Sequence, residues 1–137
     1  MKFQWNPLLD TGHEKIDKQH KKLFSILNNL VEVSEQGKGE DNILNVLVFL
    51  TSYTLMHFQT EENLMIKYGY KEYSAHKHYH EDFKLTVAKL SNQLAEEGPS
   101  KDLLEIVIKT ISDWLINHIK GEDLKIAVFI KNKNNDQ

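Results

Sequence analysis

The chain has 137 residues, a formal net charge of -3, seven histidines and no cysteine, so disulfide frameworks, thiolate zinc sites and iron–sulfur clusters are excluded. The length fits one domain with a core of its own. No basic face offers a footprint for nucleic acid, no apolar run reaches membrane-span length, and Met1 to Pro7 lack a signal-peptide pattern, which leaves a soluble, cytoplasmic protein as the expectation.

Roughly the first fifteen residues, with Trp5, Pro7, Leu8 and Leu9, lack helical periodicity and are read as an extended N-terminal arm packed across the domain. Thr11-Gly12-His13-Glu14 offers a helix start, but Asp17 is an equally good N-cap and the boundary is placed there. Ile16, His20, Leu23, Phe24, Leu27, Leu30 and Val31 then share a face, predicting a first helix over roughly 17–37 that ends at Gly37-Lys38-Gly39. Asp41 or Asn42 can cap a second helix over roughly 41–68, which turns Ile43, Val46, Leu47, Leu50, Thr54, His57, Glu61 and Met65 inward and stops at Gly69.

The third helix, roughly 71–96, carries Tyr73, His76, His80, Phe83, Val87, Leu90 and Leu94 on one face. Gly98-Pro99 ends it, and Ser100 stands where the N-cap of a fourth helix over roughly 101–120 belongs. That helix turns Leu104, Val107, Ile108, Ile111, Trp114, Leu115 and His118 inward. Past Gly121, the apolar Ile126, Val128, Phe129 and Ile130 predict a short helical segment at about 123–131, followed by a polar tail to Gln137. Four amphipathic helices with short links define an all-α, antiparallel up-down-up-down four-helix bundle, because short links force sequential helices to be antiparallel neighbours.

Every helix now brings ionisable groups to an apolar face: His20, then His57 and Glu61, then His76 and His80, then His118 and Asp123. His20 and His76 lie near helix starts and His57 and His118 near helix ends, so an antiparallel bundle gathers all of them at one end. Taken singly, each is weak. A lone inward histidine is usually satisfied by one hydrogen bond, and HxxxE pairs are common on exposed helices. The second residue of His76-Lys77-His78-Tyr79-His80 is a lysine, which cannot act as the base of a zinc protease. Jointly, five imidazoles and two carboxylates cannot satisfy one another in a dry core. They exceed one tetrahedral zinc but suit two metal ions that share the carboxylates. If Glu61, Asp123 and a solvent-derived oxygen bridge both ions, histidines split three and two complete one ion and leave an open position on the other. His13 and His78 are assigned to the surface.

One spacing resists a regular helix. His118 and Asp123 are five residues apart and therefore about 140° apart on an α-helix. A π-type turn or a break over residues 119–123 is expected, eased by Gly121.

The segments from Thr11 to Phe24, from His57 to Met65, from His76 to His80 and from Trp114 to Asp123 together resemble the bacterial hemerythrins over nearly the whole chain. The resemblance implies two non-haem iron ions with an oxo or hydroxo bridge and reversible O₂ binding at the five-coordinate iron, for oxygen carriage, storage or sensing. It assigns His76, His80 and His118 to the filled iron and His20 and His57 to the open one. It also makes Trp114, Leu115, Ile119 and Ile126 the lining of the O₂ pocket. The implied protein is an O₂ binder and not an enzyme, with any redox or signalling partner left unidentified. A di-iron oxidase or peroxidase and a zinc-stabilised structural bundle are the alternatives.

Overall fold

The computed structural model describes residues 7–37 and 42–135. Its elements are a 3₁₀ turn (Pro7–Leu9), α1 (Glu14–Glu35), α2 (Ile43–Tyr68), α3 (Tyr73–Glu97), α4 (Lys101–His118), a π-helical segment (Ile119–Asp123) and α5 (Leu124–Asn135). Among the described residues there is no strand. The four long helices form the expected antiparallel bundle, with α1 against α2 and α4, and α3 against α2 and α4.

Local chemistry sets the helix ends. Asp17 lies inside α1 and is not its cap. Its carboxylate turns back to accept from the Thr11 amide at 2.9 Å, the Thr11 hydroxyl at 2.6 Å and the Gly12 amide at 3.1 Å. With Asp17 so engaged, His13 takes the N-cap, its Nδ1 accepting from the Ile16 amide at 3.3 Å. The helix thus begins at Glu14, ahead of the expected start. At the other end of α2, Gly69 adopts φ 68°, the left-handed turn that favours glycine, and Tyr70 N–H returns to Met65 O at 2.9 Å. Ser100 caps α4 as expected, accepting from Leu103 N–H at 3.0 Å. Asn42 stands before α2 without a side-chain capping bond, whereas Asp41 and Gly39 lie outside the described residues.

The N-terminal arm differs from its expectation. Trp5 lies outside the described residues, and Pro7–Leu9 form one 3₁₀ turn where extended chain was expected, closed by Asp10 N–H to Pro7 O at 3.1 Å. Leu9 does cover apolar surface, since it is buried in the main core.

The core comes in two parts. The larger fills most of the bundle with Leu23, Leu27, Leu47, Leu50, Phe83, Leu104 and Ile111, and the smaller gathers Ile16, Met65, Tyr70, Ile126 and Ile130. Chain order places the ionisable residues between the two. His20 falls between Ile16 and Leu23, His57 and Glu61 between Leu50 and Met65, and His76 and His80 between Tyr70 and Phe83. α1, α2 and α3 thus run through one polar level between two apolar ones, and α4 ends on it at His118.

Candidate metal centre

All seven inward ionisable residues meet at that level. Their ligand-type atoms form two groups, each with atoms within 4.8 Å of one another: Glu61, His76, His80, His118 and Asp123, and His20, His57, Glu61 and Asp123. Glu61 and Asp123 belong to both. Glu61, His80, His20 and Asp123 are 0 % exposed, so any charge they carry has no solvent to stabilise it.

The carboxylates divide their oxygens between the groups. Glu61 Oε1 faces His57 Nε2 at 2.6 Å and His20 Nε2 at 3.6 Å. Its other oxygen, Oε2, faces His76 Nε2 at 2.9 Å and His80 Nε2 at 3.0 Å. Asp123 repeats the division: Oδ2 lies 2.8 Å from His20 Nε2, while Oδ1 lies 2.9 Å from His118 Nε2 and 3.2 Å from His76 Nε2.

The π-helix makes this possible. Ile119–Asp123 wind with the wider turn, which swings Asp123 back over His118 and buries it. The segment falls where the five-residue spacing predicts it. Gly121, however, is not there for backbone freedom. Its φ is not positive, and a Cβ built on it would have nothing within 4 Å.

With neutral rings and neither a cation nor added protons, this arrangement is repulsive. His57 Nδ1 faces the carbonyl oxygen of Gln19 at 2.7 Å; that oxygen only accepts, so Nδ1 carries the hydrogen. In a neutral ring His57 Nε2 is then a bare lone pair, set 2.6 Å from a carboxylate oxygen. Two lone pairs so close repel unless a cation or an added proton lies between them. His80 is held likewise, with Nδ1 3.1 Å from Glu62 Oε2 and Nε2 3.0 Å from Glu61 Oε2. Several of the close pairs also miss hydrogen-bond geometry: His57 Nε2, His118 Nε2, Glu61 Oε1 and both Asp123 oxygens are buried without a hydrogen-bond partner. Imidazole nitrogens and carboxylate oxygens that converge with several of them left unbonded are the donor set of a metal site, and they fit divalent transition metals.

Electrostatics shows the same attraction for positive charge. Burial would lower the His20 and His76 pKa values, but the close carboxylates of Asp123 and Glu61 outweigh it and push both up to about 9. Burial would raise Glu61, yet the imidazoles of His57, His20 and His76 hold its carboxyl well below the usual range. Burial and the Glu61 charge would raise Asp123, and His118 and His20 hold it far down instead.

Aromatic rings wall the polar level. Phe58 stacks on His80 with centroids 3.8 Å apart, and Trp114 stacks on His118 at 4.4 Å. Phe58 was not singled out by sequence, being hidden beside His57. Of the residues expected to line an O₂ pocket, Leu115 and Ile119 are buried in the main core and half-buried Trp114 packs against it, whereas Ile126 belongs to the smaller cluster with Ile16 and Met65. His78 is exposed, and His13 caps α1. Sequence reasoning missed Gln19. Glu62, next to the expected ligand Glu61, is buried against His80.

A four-helix bundle with histidines from all four helices and two shared carboxylates defines a metal-binding helical-bundle protein. More narrowly, the chain belongs to the hemerythrin family: residues 11–130 match the Hemerythrin HHE cation binding domain. It is 36% identical over 119 residues to a bacteriohemerythrin of Pseudomonas aeruginosa, covering 87% of this chain and 75% of that protein. To a bacteriohemerythrin of Stenotrophomonas maltophilia it is 34% identical over 129 residues, covering 93% and 80% of the two chains. A crystal structure of wild-type hemerythrin superposes with TM-score 0.76 at 30% identity, covering 91% of this chain and 95% of that one.

Proposed function

We propose that this protein binds O₂ reversibly at a non-haem di-iron centre, as a cytoplasmic carrier, store or sensor and not as an enzyme, the whole chain acting as one domain. The observation that carries the reading is the division of Glu61 and Asp123, each of which turns one oxygen to the three-histidine group and the other to the two-histidine group. His76, His80 and His118 would hold one iron, His20 and His57 the other, with the two carboxylates and an oxo or hydroxo bridge shared. Iron held there supplies the reversible redox chemistry through which O₂ is taken up and released.

The chain's own contribution is selection and protection. Three rings against two leave one metal position a protein ligand short, which is where a small molecule would bind. A ligand set of five imidazoles and two carboxylates donates less negative charge than a glutamate-rich set, so the oxidised state is stabilised less and release is favoured over onward oxidation. Trp114, Leu115 and Ile119 beside His118, with Ile126 beyond, would line the pocket and keep water from the bound gas. Membrane attachment is no part of the reading, and among the described residues no helix is long and apolar enough to cross a membrane.

Stopped-flow mixing of the reduced, iron-loaded protein with O₂ tests the reading against an oxidase or peroxidase. A persistent spectrum that reverses under argon is expected. Rapid bleaching with turnover of an added reductant overturns it in favour of an enzyme.

A further inference from the structure

In two places a residue next in sequence to a ligand-type side chain supports an imidazole of a different helix. Gln19, beside His20 on α1, accepts from His57 Nδ1 of α2 at 2.7 Å, and its amide nitrogen donates to the Thr60 hydroxyl at 3.2 Å, which fixes its orientation. Glu62, beside Glu61 on α2, meets His80 Nδ1 of α3 at 3.1 Å. Both supporting side chains are buried, each 8 % exposed. The outward contact of Glu62, to Lys77 Nζ at 3.9 Å, is long, and Lys77 is half exposed, so it does little to neutralise the carboxylate.

The two supports differ in charge. A carboxylate accepting from the remote ring nitrogen makes an imidazole a stronger electron donor to whatever its other nitrogen binds, and a neutral amide does so far less. The stronger donor sits in the three-histidine group and the weaker in the two-histidine group. A metal that must hold extra positive charge is stabilised more on the Glu62 side.

We propose that Glu62 and Gln19 are positioning residues that make the two metal positions electronically unequal, so that the position held by His76, His80 and His118 gives up an electron first. The inference rests on the di-iron reading above. It gives the bundle an order of oxidation in addition to an order of coordination, and leaves the position with fewer protein ligands the one that stays reduced longer.

The test is an anaerobic spectroelectrochemical titration of the iron-loaded protein, which resolves its two one-electron steps. Glu62→Gln preserves shape and an accepting oxygen and removes the charge; it is expected to raise the midpoint of the lower-potential step and leave the other in place. Gln19→Glu adds a charge to the opposite support and is expected to lower the higher-potential step. Opposite shifts on separate steps are not the signature of a loosened fold. Each variant is also expected to keep iron within about 10–100-fold of the parent affinity, and should Glu62→Gln take up no iron, Gln19→Glu decides alone. Unchanged midpoints, or both variants moving both steps one way, overturn the proposal. A parent protein that takes up no iron overturns the di-iron reading instead.

Discussion

Asp123 Oδ1 lies 2.9 Å from His118 Nε2, although five positions separate the two residues and a regular helix would point them about 140° apart. One turn of π-helix, Ile119–Asp123, removes that angle and delivers to the buried level the second of the two shared carboxylates. The same turn then starts α5, whose Ile126 and Ile130 close the small apolar cluster below.

Because Gly121 is exposed, has no positive φ and has space for a Cβ, the π turn does not depend on it. Gly121→Ala is expected to retain the full metal content and to stabilise the fold by about 0.5–1 kcal/mol, the usual gain at a helical glycine. Thermal unfolding of parent and variant, with metal analysis on both, checks this. Loss of metal would show that the glycine matters for a reason other than backbone freedom or space.

Glu61 contacts histidines in both groups, so its loss acts on two positions at once. Glu61→Ala should keep its helical circular dichroism, since the apolar clusters on either side are untouched, and should fail to hold two irons per chain. A variant that retains both irons would remove the bridging role.

The metal-free protein has a definite pH dependence. His20 and His76 are raised to about 9 in the fold, so what they contribute is complete below their unfolded pKa of about 6.5 and lost as pH rises through about 9. Glu61 and Asp123 are lowered, so their contribution is complete above about 4.5 and lost as pH falls below it. Denaturant midpoints of metal-free protein should therefore peak at about pH 4.5–6.5 and decline on both sides. Metal must displace the protons of His20 and His76, so uptake should release protons at pH 7 and tighten toward about pH 9. Midpoints that keep rising above pH 7 would show that these rings are not held protonated.

Ile119 follows a ligand-type histidine directly and is 1 % exposed. Ile119→Ala is expected to cost about 2–5 kcal/mol of stability through the cavity it leaves and to retain iron. By admitting water it should also shorten the lifetime of the oxygenated form. The decay of the oxygenated spectrum in air, compared with the parent, measures this, and an unchanged decay would remove Ile119 from the pocket.

What the sequence discloses depends on whether a feature is periodic or relational. The bundle and its polar level are periodic: Leu50, Thr54, His57, Glu61 and Met65 repeat on one face, and the seven ionisable residues follow from that repeat. The π turn is legible too, because His118 and Asp123 conflict with helical spacing. Asp17 misleads because a carboxylate near a helix start can either cap the helix or tie the preceding loop, and the Thr11 contacts decide it. Gln19 and Glu62 are relational. Their partners lie 38 and 18 residues away, and nothing in their own helical phase marks them. Gly121 shows a third case, where the residue type suggests a need that the local geometry does not have.

The central claim, two irons shared through Glu61 and Asp123 and open to O₂, is tested most directly by an iron count on the reconstituted protein combined with optical spectra through cycles of O₂ and argon. The account predicts two irons per chain and a spectrum that appears with O₂ and disappears without it over repeated cycles. Fewer than two irons, or a spectrum indifferent to O₂, would contradict it.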